Sequence, residues 1–266
     1  MEWFLYIAGM LALGVGVGAV SAGLGLGGGI IMVPAFITFV PGMEEHTAKG
    51  TSLFIILFVA LLNAIRLNRG VYPKPWRLAA VLAAGAIIGG YASAWITAQM
   101  PGWVILVFFL VFLLAVGVCT LFLQPKAVDA AMLRQRDLLA AFIGCMTGLV
   151  GGSTGTGGGT LLVPIALMAG IVTNARVVGL SNMVMVTTSI AGTIAHFQAP
   201  AIYPGPWTVG HVALSLAPLV FVGAQAGSLI GQRINARLTL YTRRMVMGVL
   251  LLAIAARVTC QLYAYW

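Results

Sequence analysis

The sequence predicts an all-α polytopic membrane protein of two inverted-topology repeats, each a glycine-broken hairpin plus three transmembrane helices. Three observations predict it. Hydrophobic residues make up 61% of the 266 and charged residues only 7%, against about 25% charged in an ordinary soluble domain. Apolar stretches of about 20 residues, enough to cross a hydrocarbon core, recur along the chain. A glycine-rich motif and a later loop motif each occur twice, the two loops differing in charge. So few charges cannot wet a surface, which excludes a soluble fold. The net charge of +9 then reports topology, not a nucleic-acid partner.

In chain order, residues 3–40 exceed one span and are interrupted by glycine. No basic region or A-x-A site marks them as a cleaved leader, so this segment is expected to stay in the protein. Single spans follow at 51–66, 78–98 and 103–123. Residues 138–172 repeat the long, glycine-broken form, and 178–197, 208–231 and 241–264 complete the second set. The polar breaks are short, and none separates an extramembrane domain. The expectation is one transporter domain over 1–266, with repeat 1 at about 1–124 and repeat 2 at about 137–266. Cys119, Cys145 and Cys260 lie in apolar stretches without CxxC spacing or nearby histidine, and read as small buried apolar residues. No cofactor is implied.

Twelve of the 14 lysines and arginines fall in 66–77, 124–137, 173–177 and 232–244. The positive-inside rule makes these loops cytoplasmic. Loops 41–50, 97–102 and 198–207 read as external. Trp76, Trp103 and Trp207 mark loop–span junctions, as aromatic belts do.

"GLGLGGGIIMVP" (23–34) aligns with "STGTGGGTLLVP" (153–164), and "YPKPW" (72–76) with "YPGPW" (203–207), at offsets of 130 and 131. Gly85, Gly89 and Ser93 answer Gly223, Gly227 and Gly231, and read as close helix packing. One "YPxPW" loop is basic and the other uncharged, so the halves are oppositely oriented. Inverted repeats are a recurrent plan of secondary transporters, with substrate held at the repeat interface.

Residues 14–29 and 144–159 each contain eight of the 34 glycines. Irregular backbone at membrane depth survives only when buried in protein or lining a wet cavity. Each run therefore predicts a turn inside the bundle, followed by a helix with Pro34 or Pro164 in its first turn. Helix N-termini favour an anion, and glycine lets the backbone approach it. The candidate site is the backbone of Gly27, Gly28, Gly29, Gly157, Gly158 and Gly159. Ser21, Ser153, Thr154, Thr156 and Thr160 add hydroxyls. Bulky changes such as Gly28→Leu and Gly158→Leu are expected to abolish transport while leaving folded protein in the membrane. Glycines used only for close helix packing are the plainer alternative.

No Asp or Glu falls within a predicted span, which argues against a cation as cargo. "KGTSL" (49–53) and "VGLSN" (178–182) occupy corresponding places. They bring Lys49, Thr51 and Ser52 from one half, and Arg176, Ser181 and Asn182 from around the other. Lys49 and Arg176 either steer an anion or snorkel to headgroups. His196 reads as an interfacial histidine near an external end, and Arg257 as a snorkelling residue. The partners are thus a small anion, the lipid bilayer and a coupling ion, proton or sodium, left open. Proton coupling would have to use His196 or the substrate itself. A carrier or channel for a neutral or zwitterionic solute is the alternative. An intramembrane enzyme would need a catalytic set that the spans lack.

The paired "GLGLGGGIIMVP" and "GSTGTGGGTLLVP" motifs, with "GTSL" at 50–53, resemble the TauE/SafE sulfite exporter family over essentially the whole chain. The resemblance implies transport of sulfite, sulfonates or related organosulfur carboxylates such as sulfoacetate across a bacterial-type plasma membrane. Both termini are expected on its external side. The second half carries "GLSN" where the family pattern suggests "GTSL", so Asn182 is expected to tune the substrate.

Overall fold

A computed structural model places residues 2–69, 76–122, 137–201, 203–205 and 207–263. The first half contains α1 (Glu2–Leu24), α2 (Gly29–Phe39), α3 (Glu45–Leu67), α4 (Trp76–Thr97) and α5 (Gly102–Phe122). The second contains α6 (Asp137–Thr154), α7 (Gly159–Met168), α8 (Asn174–Phe197), a hairpin of β1 (Thr208–Val209) and β2 (Val212–Ala213), α9 (Ala217–Arg237) and α10 (Leu240–Tyr263). Among the described residues, six helices, α1, α3, α4, α5, α6 and α8, are long and apolar enough to cross a membrane. Helices α9 and α10 have the length, at 21 and 24 residues, with arginines at or near their ends. The short α2 and α7, of 11 and 10 residues, reach about half that depth at 1.5 Å per residue. The chain is a multi-pass, all-α membrane protein.

The halves interlock. Helix α1 packs along α9 and α4 along α6, so exchanging first-half helices for their second-half counterparts turns one contact into the other. Helices α3 and α8 cross between these pairs, and α5 packs on α10. Glycine makes both long contacts possible. A Cβ on Gly14 or Gly18 would fall on the α9 backbone at Val220 and Ala224, and one on Gly144 or Gly148 on the α4 backbone at Leu82 and Ala86. Gly85, Gly89, Gly223 and Gly227 make the reciprocal contacts, so the close packing expected of them is present. Outward side chains are apolar in mid-helix, among them Ile88, Val111 and Val249. Lipid suits these faces better than water does.

Loops with one sequence-derived side share one end of the bundle. Arg77 pairs with Asp137 (2.5 Å), joining the starts of α4 and α6. Arg243 reaches Asn174 and Asn235 across the 173–177 and 232–244 breaks. At the opposite end, Lys49 meets Thr97, and His46 and His196 meet His211. Of "YPKPW", only Trp76 lies among the described residues, and Lys126, Arg134 and Arg136 lie outside them.

Several expectations are corrected. The span expected at 208–231 begins only at Ala217, because Gly210 (φ 55°) folds 208–213 back as a hairpin and Pro218 opens the helix. Pro34 and Pro164 sit mid-helix, each the sixth residue of a helix that opens on glycine, and not in the first turn. Helix α3 starts at Glu45, so Glu45 and Lys49 belong to its first two turns and not to a loop, and Asp137 likewise opens α6. Cys119 and Cys260 are exposed on outer faces and Cys145 is half-buried. Arg243, counted among loop charges, is fully buried.

Candidate functional site

The glycine turns fold alike because they solve one problem twice. Gly25 and Gly27 after α1, and Gly155, Gly157 and Gly158 after α6, all have φ between 73° and 86°. That left-handed region costs an L-residue about 1–2 kcal/mol and glycine nothing. The turns lie side by side and antiparallel in the buried centre. A Cβ on Gly27 would fall on the Thr156 carbonyl oxygen, one on Gly29 on the Gly155 carbonyl, and one on Gly159 on the Gly25 carbonyl. Glycine is therefore required both for conformation and for approach.

The shared serine of "GTSL" and "GLSN" explains why those motifs correspond. Ser52 of α3 donates to the Gly155 carbonyl (2.8 Å), and Ser181 of α8 donates to the Gly25 carbonyl (2.8 Å). Each half's long central helix thus holds the other half's turn. Thr51 accepts from the Ala213 N–H (2.9 Å) and docks the β-hairpin on α3.

Helices α2 and α7 both start at a glycine N-cap without a side-chain cap. The first N–H groups of a helix have no intrahelical partner, and here two such ends meet inside the protein. Beside the second turn, Thr154, Thr156 and Thr160 link hydroxyls at 2.9 and 3.3 Å, while Ser153 and Thr154 donate to the Val150 carbonyl. Beside the first, Ser21, Asn63 and Asn182 form a triad at 3.4 Å, with Asn63 Oδ1 unpartnered. Thr156, Thr160, Ser181, Asn182 and Asn63 are all fully buried. Asn63 escaped the sequence reading because it lies in an apolar run with no motif around it.

Lys49 is fully buried, its Cα against Gly155 and its ammonium donating to Thr97 Oγ1 (3.2 Å). Of the two candidate cations, it alone joins the centre. Arg176 is exposed on the first turn of α8, apart from the turns. His196 is not interfacial: it is fully buried, shares an Nδ1···Nδ1 contact of 3.2 Å with His211, and receives the His211 backbone N–H at its carbonyl (2.9 Å). His46 stacks near His211, with centroids 5.1 Å apart. Burial and the Lys49 charge push the His211 imidazole down to about 4. His46 and His211 were missed because each stands alone in its segment, and only the hairpin brings them together. Arg257, at the opposite extreme, is exposed, bonded to Thr38 and set over the Phe39 ring.

The turns differ in one testable way. Gly158 has φ 86° and a Cβ there would meet the Thr147 carbonyl oxygen, whereas its counterpart Gly28 has φ −69° and faces only the Val17 side chain. Gly158→Ala should sharply reduce recovery of folded protein, which revises the sequence expectation that bulky changes at these glycines leave the fold intact. Gly28→Ala should fold with a lowered melting temperature, and Val17→Ala should restore it by vacating the volume. Monodispersity and melting of the purified variants check this, and equal losses at the two glycines would contradict it.

Residues 10–258 match the family described as sulfite exporter TauE/SafE. Similar chains are probable membrane transporter proteins of Methanocaldococcus jannaschii (26% identity, 94% of each chain) and Bacillus subtilis (26%, covering 95% of this chain and 96% of that one). Another, from Haemophilus influenzae, is 24% identical over 93% of each chain. No solved structure matches. The duplicated glycine turns, the helical architecture and this match over nearly the whole length agree: the chain belongs to the TauE/SafE sulfite exporter family.

Proposed function

We propose that the protein is a secondary transporter for a small sulfur-containing anion, such as sulfite, a sulfonate or sulfoacetate, working by alternating access between two inverted halves. It is a carrier and not an enzyme on this reading. One observation carries it: two uncapped helix starts meet at antiparallel glycine turns in a buried centre, and the backbone and first side-chain carbons of the buried Lys49 press on one of them. Partial positive charge at helix N-termini and one full charge suit an anion. Ser21, Thr156, Thr160 and Asn182 are placed to lend hydrogen bonds around it. The turns are buried on every side, so substrate there is occluded and access requires the halves to shift.

The family name supports a sulfur oxyanion, and the sidedness read from the basic loops puts the Lys49 end outside. Reconstituted protein should take up sulfite and sulfoacetate, and both should raise its melting temperature in detergent. A neutral amino acid such as alanine should do neither. Alanine uptake without any sulfur-anion flux would sink the reading.

A further inference from the structure

The pseudo-symmetry separates groups that the fold requires from groups it does not. Lys49 presses its Cα on Gly155, and its counterpart Val178 presses its Cα on Gly25. The backbone contact is the same, yet only one carries charge. Gly50 packs beneath His196 and the His211 carbonyl, while its counterpart Gly179 packs beneath Asn68, whose amide donates to the Gly179 carbonyl (3.2 Å). Imidazole is thus not needed to close such a contact. The histidines gather at one end only, from α3, α8 and the hairpin tip.

His196 and His211 are fully buried and His46 nearly so, and each ring keeps a nitrogen without a partner: Nδ1 of His46, Nε2 of His196 and Nε2 of His211. Buried polar atoms are normally satisfied, and orphans require an explanation. Along α8, Thr193 and Ser189 lie three and seven residues before His196, on one helix face. Their hydroxyls are unpartnered too. Ser189 Oγ lies 3.2 Å from where a Gly157 Cβ would stand. A row of orphan polar atoms therefore runs from the imidazoles to the second glycine turn, about 10 Å along the helix. Near the same ends of α4 and α8 lies a cavity of about 200 Å³ lined by Ala98, Gln99, Ala195 and Gln198.

We propose that His196 and His211, with His46 beside them, form the proton-carrying site of this transporter, so that the anion crosses together with a proton. This rests on the anion-transport reading above and names its coupling ion. The groups facing the site are Lys49 and Glu45 of α3, one turn apart, the Thr97 hydroxyl of α4, and the three rings themselves. The Lys49 charge disfavours a second positive charge beside it. An anion next to Lys49 offsets that charge and raises the rings' proton affinity. Linkage then requires the proton to tighten anion binding by the same factor. The proton adds to a free Nε2 of the His196–His211 pair, whose two Nδ1 atoms share one hydrogen across 3.2 Å, and it leaves from the same Nε2 to water on the other side. On uptake an N–H bond forms as an O–H bond of hydronium breaks, and release reverses the exchange.

The test uses the full chain in liposomes containing a pH-sensitive dye, with the membrane potential clamped at zero and sulfoacetate as the anion. Wild type should acidify or alkalinise the lumen in step with sulfoacetate movement, and a pH step of one unit should drive roughly tenfold accumulation. In His211→Asn and His196→Asn, protons moved per anion should fall towards zero and the pH step should no longer drive accumulation. Melting is measured first, and a variant that does not fold is replaced by Gln at the same position. Sulfoacetate flux in wild type without a dye response, or an unchanged proton ratio in both variants, overturns the proton site and leaves the anion transporter standing. Absence of any sulfur-anion flux in wild type overturns both.

Discussion

Arg243→Met is expected to leave little folded protein in the membrane. The guanidinium is fully buried at the start of α10 and spends its donors in three directions. Nε donates to Asn174 Oδ1 (2.7 Å), Nη2 to Asn235 Oδ1 (2.7 Å), and Nη1 to the Gly23 carbonyl (3.0 Å). Gly23 lies in the last turn of α1, where carbonyls lack intrahelical partners and the helix end is negative. One side chain therefore joins α1, α8, α9 and α10 and caps the helix that leads into the first glycine turn. None of the three acceptors is a carboxylate, so amide oxygens and the helix end balance the charge. Hydrogen bonds to charged groups contribute about 1.5–3 kcal/mol each, and orphaning the acceptors adds desolvation. A loss of about 3 kcal/mol or more follows. Arg243→Lys should rescue little, since an ammonium cannot span the planar fork. Recovery of monodisperse protein and its melting temperature measure this. Wild-type melting in Arg243→Met would remove Arg243 from the scaffold.

Arg243 also shows what the sequence hides. Next to Arg244 it reads as one of a pair of loop charges, and Arg244 does donate to the carbonyls of Thr120 and Leu121. Hydropathy locates the end of a helix but not which neighbour that end meets. The glycine turns were legible because positive φ and backbone contact both demand glycine, and the demand repeats at a fixed offset. Ser52 and Ser181 were legible as a matched pair. Their task was not, since each acceptor is more than a hundred residues away. The histidine site was least visible. His196 looked interfacial because it sits in the last turn of α8, and its burial comes from a hairpin whose four-residue ladder has no strong strand signal.

Lys49→Val is expected to fold and yet to lose sulfur-anion uptake by on the order of 100-fold, the equivalent of about 3 kcal/mol for a charge-assisted contact. The fold should tolerate it because the other half already makes this contact with Val178 against Gly25. Replacing a buried charge by an apolar side chain is often neutral or stabilising, so melting should hold or rise. Transport should fall because Arg243, the other fully buried cation among the described residues, is committed to its three acceptors. Adding Val178→Lys to Lys49→Val moves the charge to the pseudo-equivalent place and should not restore uptake. There the counterparts of His46 and His196 are Ala175 and Leu67, and no imidazole stands by to accept a proton. Uptake is compared in liposomes at matched protein content. If Lys49→Val transports at the wild-type rate, the helix ends hold the anion by themselves, and the asymmetry between the halves serves something other than charge.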